Sequence, residues 1–258
     1  MSHGFVLRKI YSTGYCSCRG FWADKRLGWR RYRFHARCFL LEHPRRGLFL
    51  VDTGYGSGFL EATRRGGYAF YRKVLPVHHR AEERLVTQLA DDGISTRDLS
   101  YLILTHFHGD HVGGLKDFAA VPWVYRRDAL DDLQRLSPLR ALGKGFIKEL
   151  IPDVSLGSLP IVGRQFDAQW RGFSSMDLFG DGSLHLIDLP GHALGQMGVS
   201  WGDTLLAADA TWGCRSRPPW PVLLLQEDLR AYWRTFKQLQ HLSSSTQIIP
   251  THNLEPDV

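Results

Sequence analysis

Hydrophobic residues recur along the first third of the chain in short blocks with strand-like and helix-like spacing. Apolar stretches at residues 32–41 and 47–51 flank a turn-like segment, residues 42–46, and predict a β-hairpin. Residues 81–90 carry apolar side chains at helical spacing, and Gly93 is placed to end that helix. The chain is therefore predicted to begin with a hairpin that is followed by a helix.

A strand, helix, strand alternation follows in the middle of the chain. Residues 99–104 predict a buried strand, residues 112–118 a short helix and residues 123–126 a second strand. This alternation is typical of a layered α/β protein, which is the predicted fold class.

The second half repeats the same kinds of pattern. Residues 184–189, 197–201, 204–208 and 247–249 predict strands, and an apolar stripe from Leu229 to Leu239 predicts a helix. Before these elements, residues 130–170 combine helical pieces with Gly and Pro breaks. Because no Ser-, Gly- or Pro-rich linker isolates this segment, we interpret it as a partly helical cap or insertion within one domain spanning residues 1–258.

Composition narrows the function classes without naming one. The 258 residues are 43% hydrophobic, enough to bury a large core, and the net charge is +6. The arginines lie in small scattered groups and not in a basic tract, so nucleic acid is not an expected partner. No run of about 18 apolar residues and no leader-like start occur, and the four cysteines suggest no disulfide framework. We therefore expect a cytoplasmic protein with no membrane partner.

Four residues that can bind metal ions fall within six positions, directly after the predicted buried strand. They are His106, His108, Asp110 and His111. Side chains at the end of a strand leave the sheet and can converge on one point in solvent. Histidines two positions apart on extended backbone face the same way, while Asp110 and His111 can point to a neighbouring position. One ion cannot use all four ligands comfortably, whereas two ions can share them.

The sequence THFHGDHVGG at residues 105–114 resembles the signature motif of the metallo-β-lactamase superfamily. The resemblance extends along the chain, in the order of the family, through Asp52-Thr53-Gly54, Pro190-Gly191-His192, Asp209 and His252. It implies an αββα sandwich, in which two mixed β-sheets are flanked by helices and a dinuclear metal site lies at one edge. In that pattern the first metal is held by His106, His108 and His192, the second by Asp110, His111 and His252, and Asp209 bridges the two. Asp52 would stand behind the site and orient a ligand.

Imidazole and carboxylate ligands without a thiolate suit two Zn²⁺ ions, and also Mn²⁺, Fe²⁺ or Co²⁺. Two such cations lower the pKa of a shared water and polarise a substrate oxygen, which leads to hydrolysis by a metal-bound hydroxide. Asp110 or Asp209 could handle the proton. The predicted activity is therefore that of a metal-dependent hydrolase.

Within the superfamily, the pattern is most similar to the N-acyl homoserine lactonases. Those enzymes carry a tyrosine three residues after the bridging aspartate, where this chain has Trp212, whose indole N–H can still donate one hydrogen bond. We expect Phe107, Trp212 and Trp220 to form apolar walls for a small ester, lactone or thioester with an apolar acyl or aromatic part. The scattered arginines keep a phosphodiesterase and a glyoxalase II-like glutathione thioesterase as alternatives. An iron-dependent persulfide dioxygenase and a non-catalytic binding protein on the same scaffold complete the alternatives.

Overall fold

The computed structural model describes residues 4–212 and 226–257, which form two β-sheets packed face to face with helices outside them. Phe39, Val51 and Ile103 of the first sheet meet Leu186 and Val199 of the second in an apolar core. The αββα sandwich implied by the sequence is thus confirmed.

The first sheet mixes antiparallel and parallel strands. Its strands are β1 (Val6–Arg19), β2 (Arg31–His43), β3 (Gly47–Val51), β4 (Val77–His78), β5 (Leu99–Ile103), β6 (Trp123–Arg126), β7 (Leu159–Ile161) and β14 (His252–Pro256). Neighbouring strands follow the order β4-β1-β2-β3-β5-β6-β7, and β14 pairs with the part of β2 that β3 leaves uncovered. The pairs β3·β5, β5·β6 and β6·β7 are parallel and the others are antiparallel.

The strands of the second sheet are β8 (Ala168–Trp170), β9 (Phe173–Asp177), β10 (His185–Asp188), β11 (Met197–Trp201), β12 (Thr204–Ala208) and β13 (Gln247–Pro250). They follow the order β13-β12-β11-β10-β9-β8, and only the β12·β13 pair is parallel among the described residues.

Helices cover the outer face of each sheet. Alternation along the strands supplies both faces: Leu50 packs towards the helices, whereas its neighbours Phe49 and Val51 pack between the sheets. Leu239 of the last helix covers Leu205 of the second sheet. The helices are α1 (Ser57–Ala62), α2 (Tyr68–Val74), α3 (Leu85–Asp91), α4 (Gly109–Val112), α5 (Arg127–Arg135), α6 (Pro138–Gly143) and α7 (Leu229–Leu242). None of the helices in residues 4–212 and 226–257 is long and apolar enough to cross a bilayer.

Most predicted elements are present, and the differences include one misplaced helix, one segment that supplies unexpected strands, and unpredicted elements such as α1, α2, β1 and β9. The prediction of one helix over residues 112–118 is wrong. The α-helix begins earlier, at Gly109, and ends at Val112, and a separate 3-10 turn covers Leu115–Phe118. The segment 130–170 contains helices as expected, but it also supplies β7 to the first sheet and leads into β8 of the second. The long strand β1 was not predicted. Its exposed and buried residues do not alternate regularly, and register shifts interrupt its pairing with β2.

Candidate metal centre

Seven His and Asp side chains from four separate segments meet at one edge of the sandwich. His106 and His108 follow β5, Asp110 and His111 lie in α4, His192 follows β10, Asp209 follows β12, and His252 begins β14. They form two groups, His106 with His108 and His192, and Asp110 with His111, Asp209 and His252. Within each group the potential ligand atoms lie within 4.8 Å of one another. The structure thus brings together the seven residues that the resemblance names as ligands, with Asp209, the expected bridge, grouped with the second set.

Local geometry explains how the motif presents its ligands. The backbone of His108 is extended, and α4 begins directly after it, so Asp110 and His111 turn towards a second position. Phe107 lies between two histidines that face the site, and its side chain points the other way into the core, with 2% exposed. The structure therefore corrects the expectation that Phe107 forms a wall of the substrate pocket.

The first ligand group is made of three imidazoles whose inner nitrogens nearly touch. His106 Nε2 lies 3.1 Å from His108 Nδ1, which in turn lies 3.0 Å from His192 Nε2. Three neutral imidazole nitrogens converging on one point match a divalent transition metal.

The second group combines imidazoles with carboxylates. His252 Nε2 lies 3.2 Å from Asp110 Oδ2 and 3.2 Å from Asp209 Oδ2, and His111 Nε2 lies 3.3 Å from Asp209 Oδ1. Within the described part of the chain, His111 Nε2 and Asp209 Oδ1 are fully buried and make no hydrogen bond. Buried polar atoms without a hydrogen bond are costly, and a cation at this position would satisfy both of them.

Asp209 also reaches the first group, because its Oδ2 lies 3.5 Å from His192 Nε2. The preceding residue, Ala208, has a φ of 46°, a left-handed conformation that a residue with a Cβ adopts only under strain. This backbone turn at the end of β12 directs Asp209 between the two groups. A carboxylate in this place can contact two ions at once.

Two of the imidazoles are fixed from behind by buried groups near Asp52. The Nδ1 of His111 lies 2.7 Å from Asp52 Oδ2, and the Nδ1 of His106 lies 3.2 Å from Thr105 Oγ1. Thr105 donates its backbone N–H and its hydroxyl to the two oxygens of Asp52. With Nδ1 engaged in this way, each ring directs Nε2 towards the centre. Asp52 therefore stands behind the site, where the sequence placed it.

The other three imidazoles are oriented by partners that the sequence did not reveal. His192 donates Nδ1–H to Gln226 Oε1 at 3.0 Å, and His252 donates Nδ1–H to the carbonyl of His35 at 3.0 Å. His108 donates Nε2–H to the carbonyl of Lys144 at 2.9 Å, which leaves Nδ1 as its ligand atom. These partners lie 34 to 217 residues from their histidines, and two of them are backbone carbonyls. A sequence motif therefore could not predict them.

Burial and neighbouring charges set opposite protonation tendencies in the two groups. Burial lowers the pKa of His108 to about 3 and also lowers the pKa of His106, in each case with help from neighbouring imidazoles. Burial opposes a charge on His111 and His252 too, but the carboxylates around them outweigh it and raise both pKa values well above the usual range. The first group is therefore neutral, with lone pairs ready to bind a cation.

The two carboxylates of the second group stay ionised. Burial works against their charge, but the adjacent His111 and His252 outweigh it. The pKa of Asp110 falls to about 2 and that of Asp209 falls well below its usual value. Two anionic carboxylates beside five imidazoles form a cluster that is able to bind metal ions, and it suits divalent cations.

Trp212, the residue at the lactonase tyrosine position, contacts the cluster directly. Its indole Nε1–H donates to Asp209 Oδ2 at 3.2 Å. Trp212 thus holds the aspartate that lies between the two groups, in addition to any wall it provides. Trp220, the other tryptophan expected near the substrate, and the apolar segment 218–225 lie outside the described residues.

A cavity of about 210 Å³ opens beside the first group. Its lining is mainly polar and includes His108, His192, Lys144, Gln226 and Glu227. A substrate carbonyl entering here would approach the inner nitrogens of the first group.

We expect the replacement of Asp52 by asparagine to lower metal affinity about 10- to 100-fold with little loss of fold. Asp52 has a φ of 59°, a conformation that asparagine also tolerates, so this change removes the charge behind His111 without adding backbone strain. Competition with a chelator would measure the effect. Equal affinities in the variant and the parent protein would mean that Asp52 does not orient His111.

The profile of the metallo-beta-lactamase superfamily matches residues 31–252, and the chain belongs to this superfamily. A probable metallo-hydrolase of Mycobacterium bovis is 30% identical over 167 residues, which cover 60% of this chain and 48% of the relative. The chain thus spans about half the length of this relative. An N-acyl homoserine lactonase of Azorhizobium caulinodans is 25% identical over 191 residues, 70% of this chain and 66% of the relative.

Solved structures share the fold over nearly the whole chain. An N-acyl homoserine lactone hydrolase, with the product N-hexanoyl-L-homoserine bound at its catalytic metal centre, aligns with a TM-score of 0.72 and 21% identity. The alignment covers 98% of this chain and 94% of that structure. Identity at this level shows a common fold, and the activity of this chain has to be argued from its own residues.

Proposed function

We propose that this protein is a dinuclear metal-dependent hydrolase that opens lactones, with N-acyl homoserine lactones as the first substrates to test. The observation that carries the proposal is Asp209, whose carboxylate lies within 3.5 Å of ligand nitrogens from both groups. A shared carboxylate of this kind is what a two-metal site needs. The similarity to lactonases in both sequence and fold supports the choice of substrate.

Each residue has a role that follows from its surroundings. His106, His108 and His192 would hold one ion, and Asp110, His111 and His252 the other, with Asp209 between them; two Zn²⁺ ions fit these ligands, as would Mn²⁺, Fe²⁺ or Co²⁺. When bound, such ions lower the pKa of a water and polarise a carbonyl oxygen.

Asp110 is the better placed of the two aspartates to move a proton. Its side chain is 14% exposed, against 5% for Asp209. Both carboxylates lie 3.2 Å from His252 Nε2, but Asp209 also accepts from the indole of Trp212. We therefore assign to the Asp110 carboxylate the removal of a proton from the attacking water and the delivery of that proton to the leaving alkoxide as the lactone opens. Trp212 keeps Asp209 in place and lies close enough to His192 to border the substrate.

The test is a substrate panel run on metal-loaded protein together with its metal analysis. The panel contains N-acyl homoserine lactones of short and long chain, a glutathione thioester, an aryl phosphodiester, a β-lactam and a glutathione persulfide. We expect kcat/KM for at least one lactone to exceed the value for every substrate that is not a lactone by about tenfold or more, a difference of about 1.4 kcal/mol in the barrier. His108→Ala serves as the control for a contaminating activity.

A different leading substrate would replace this proposal with a named alternative. If kcat/KM for the phosphodiester or the thioester exceeded that for every lactone by that margin, the enzyme would be a phosphodiesterase or a thioesterase. Oxygen consumption with the persulfide in the iron-loaded protein would indicate a dioxygenase instead.

A further inference from the structure

The partners that orient His108 and His192 belong to two surface segments that are distant in sequence. The carbonyl that accepts from His108 belongs to Lys144, directly after α6. The amide oxygen that accepts from His192 belongs to Gln226, and the backbone N–H of the next residue, Glu227, donates to the His192 carbonyl at 3.2 Å. The geometry of the first ligand group therefore depends on how these two segments sit relative to each other.

The side chains of Lys144 and Glu227 join the two segments across the cavity. Lys144 Nζ lies 2.6 Å from one carboxylate oxygen of Glu227 and 2.5 Å from the other. The two side chains are 42% and 29% exposed, so the pair is partly shielded from solvent. Both residues also line the cavity beside His108 and His192.

We propose that the Lys144–Glu227 ion pair is a positioning device for the first metal: it holds the two segments at the separation that brings His108 Nδ1 and His192 Nε2 to one ion. This inference rests on the proposed metal centre and is independent of the substrate. Neither side chain touches a ligand atom of the group, so both act through the residues they anchor.

The second ligand group has supports of another kind. His111 is held by Asp52, which is 1% exposed, and His252 is held by the carbonyl of His35 within the paired strands β2 and β14. Because these supports are part of the sheet and its buried edge, they do not depend on a surface ion pair. Breaking the Lys144–Glu227 pair should therefore weaken one metal position and leave the other unchanged.

The test uses Lys144→Met and Glu227→Gln, which remove the ion pair but keep the backbone groups that contact His108 and His192. Metal-stripped proteins are titrated with Co²⁺ and followed by visible absorption, and His108→Ala identifies the part of the titration that belongs to the first group. We expect each variant to weaken that part about 3- to 10-fold, below the 10- to 100-fold typical of direct partners of metal ligands, because the pair is partly exposed. The other part should stay within about twofold, a change below 0.5 kcal/mol.

Two comparisons separate positioning from general damage. The exchanged pair K144E/E227K should recover most of the lost affinity, and 1 M salt, where the Debye length is about 3 Å, should narrow the gap between the parent protein and the single variants. Asp131→Asn, which breaks the exposed Arg127–Asp131 pair on α5, is the matched control and should leave both parts unchanged.

The proposal is overturned if both single variants bind the first Co²⁺ as the parent protein does, or if they weaken both positions equally. Since the readout is metal affinity, a protein that binds two ions normally but hydrolyses no lactone would refute the proposed function and leave this inference standing.

Discussion

Replacing Asp209 with asparagine is expected to lower kcat for the best substrate by about a thousandfold or more, equivalent to about 4 kcal/mol of transition-state stabilisation. The carboxylate is buried beside His192, His111 and His252, so its loss removes a carboxylate that lies within 3.5 Å of ligand nitrogens from both groups. Asparagine has nearly the same shape but carries no charge. Its NH₂ group would face the imidazole nitrogens that the carboxylate now contacts. The fold should survive, because the site lies at the edge of the sandwich.

Steady-state kinetics at saturating metal, with thermal unfolding as the check on folding, would measure this effect. Asp203→Asn is the matched control: Asp203 lies in the turn before β12, its side chain is 82% exposed, and it pairs with Arg171 away from the cluster. His106→Ala should show a loss comparable to that of Asp209→Asn. Near-parental turnover of Asp209→Asn with two ions bound would remove Asp209 from the proposed bridging position.

Removal of metal is expected to abolish turnover and to lower the melting temperature by about 10 °C. A ligand present at 1,000 times its Kd stabilises the folded state by about 4 kcal/mol, and each kcal/mol shifts the melting temperature by about 2–4 °C for a chain of this size. The physical reason is local: without cations, the ionised Asp110 and Asp209 are balanced by the buried imidazoles of His111 and His252, and burying such ion pairs costs much of what their attraction gains. Stability should therefore rise with metal concentration.

Chelation, re-addition of Zn²⁺, Mn²⁺, Fe²⁺ or Co²⁺, and elemental analysis complete this experiment. We expect about two ions per chain at the concentration where stability and turnover reach their plateau, since seven ligands exceed the four to six that one ion accepts. A plateau at one ion per chain, or an unchanged melting temperature after chelation, would contradict the dinuclear proposal.

The amino-acid sequence determined the layered α/β fold and the composition of the ligand cluster. Local hydrophobic periodicity predicts β2, β3, β5 and α7, because each exposes one face to a core and one to solvent or helices. The motif around His106 places four ligand-type residues after a buried strand. Because these residues are neighbours in the sequence, they lie close together however the rest of the chain packs. The family resemblance then selected His192, Asp209 and His252, and the fold brings all three to the motif.

Tertiary structure alone decided which groups stand behind His108, His192 and His252 and which way the neighbouring side chains point. Gln226, the carbonyl of Lys144 and the carbonyl of His35 orient three imidazoles through contacts between distant segments. Phe107 is adjacent to two histidines that face the site, yet strand-like alternation buries it in the core. Hydrophobic periodicity indicates only whether a side chain faces the core. It does not predict long-range hydrogen bonds, because these depend on how separate elements pack together. For this reason the chemistry of the cluster and the position of Asp52 could be inferred from the sequence and the family resemblance, and the other supports could not.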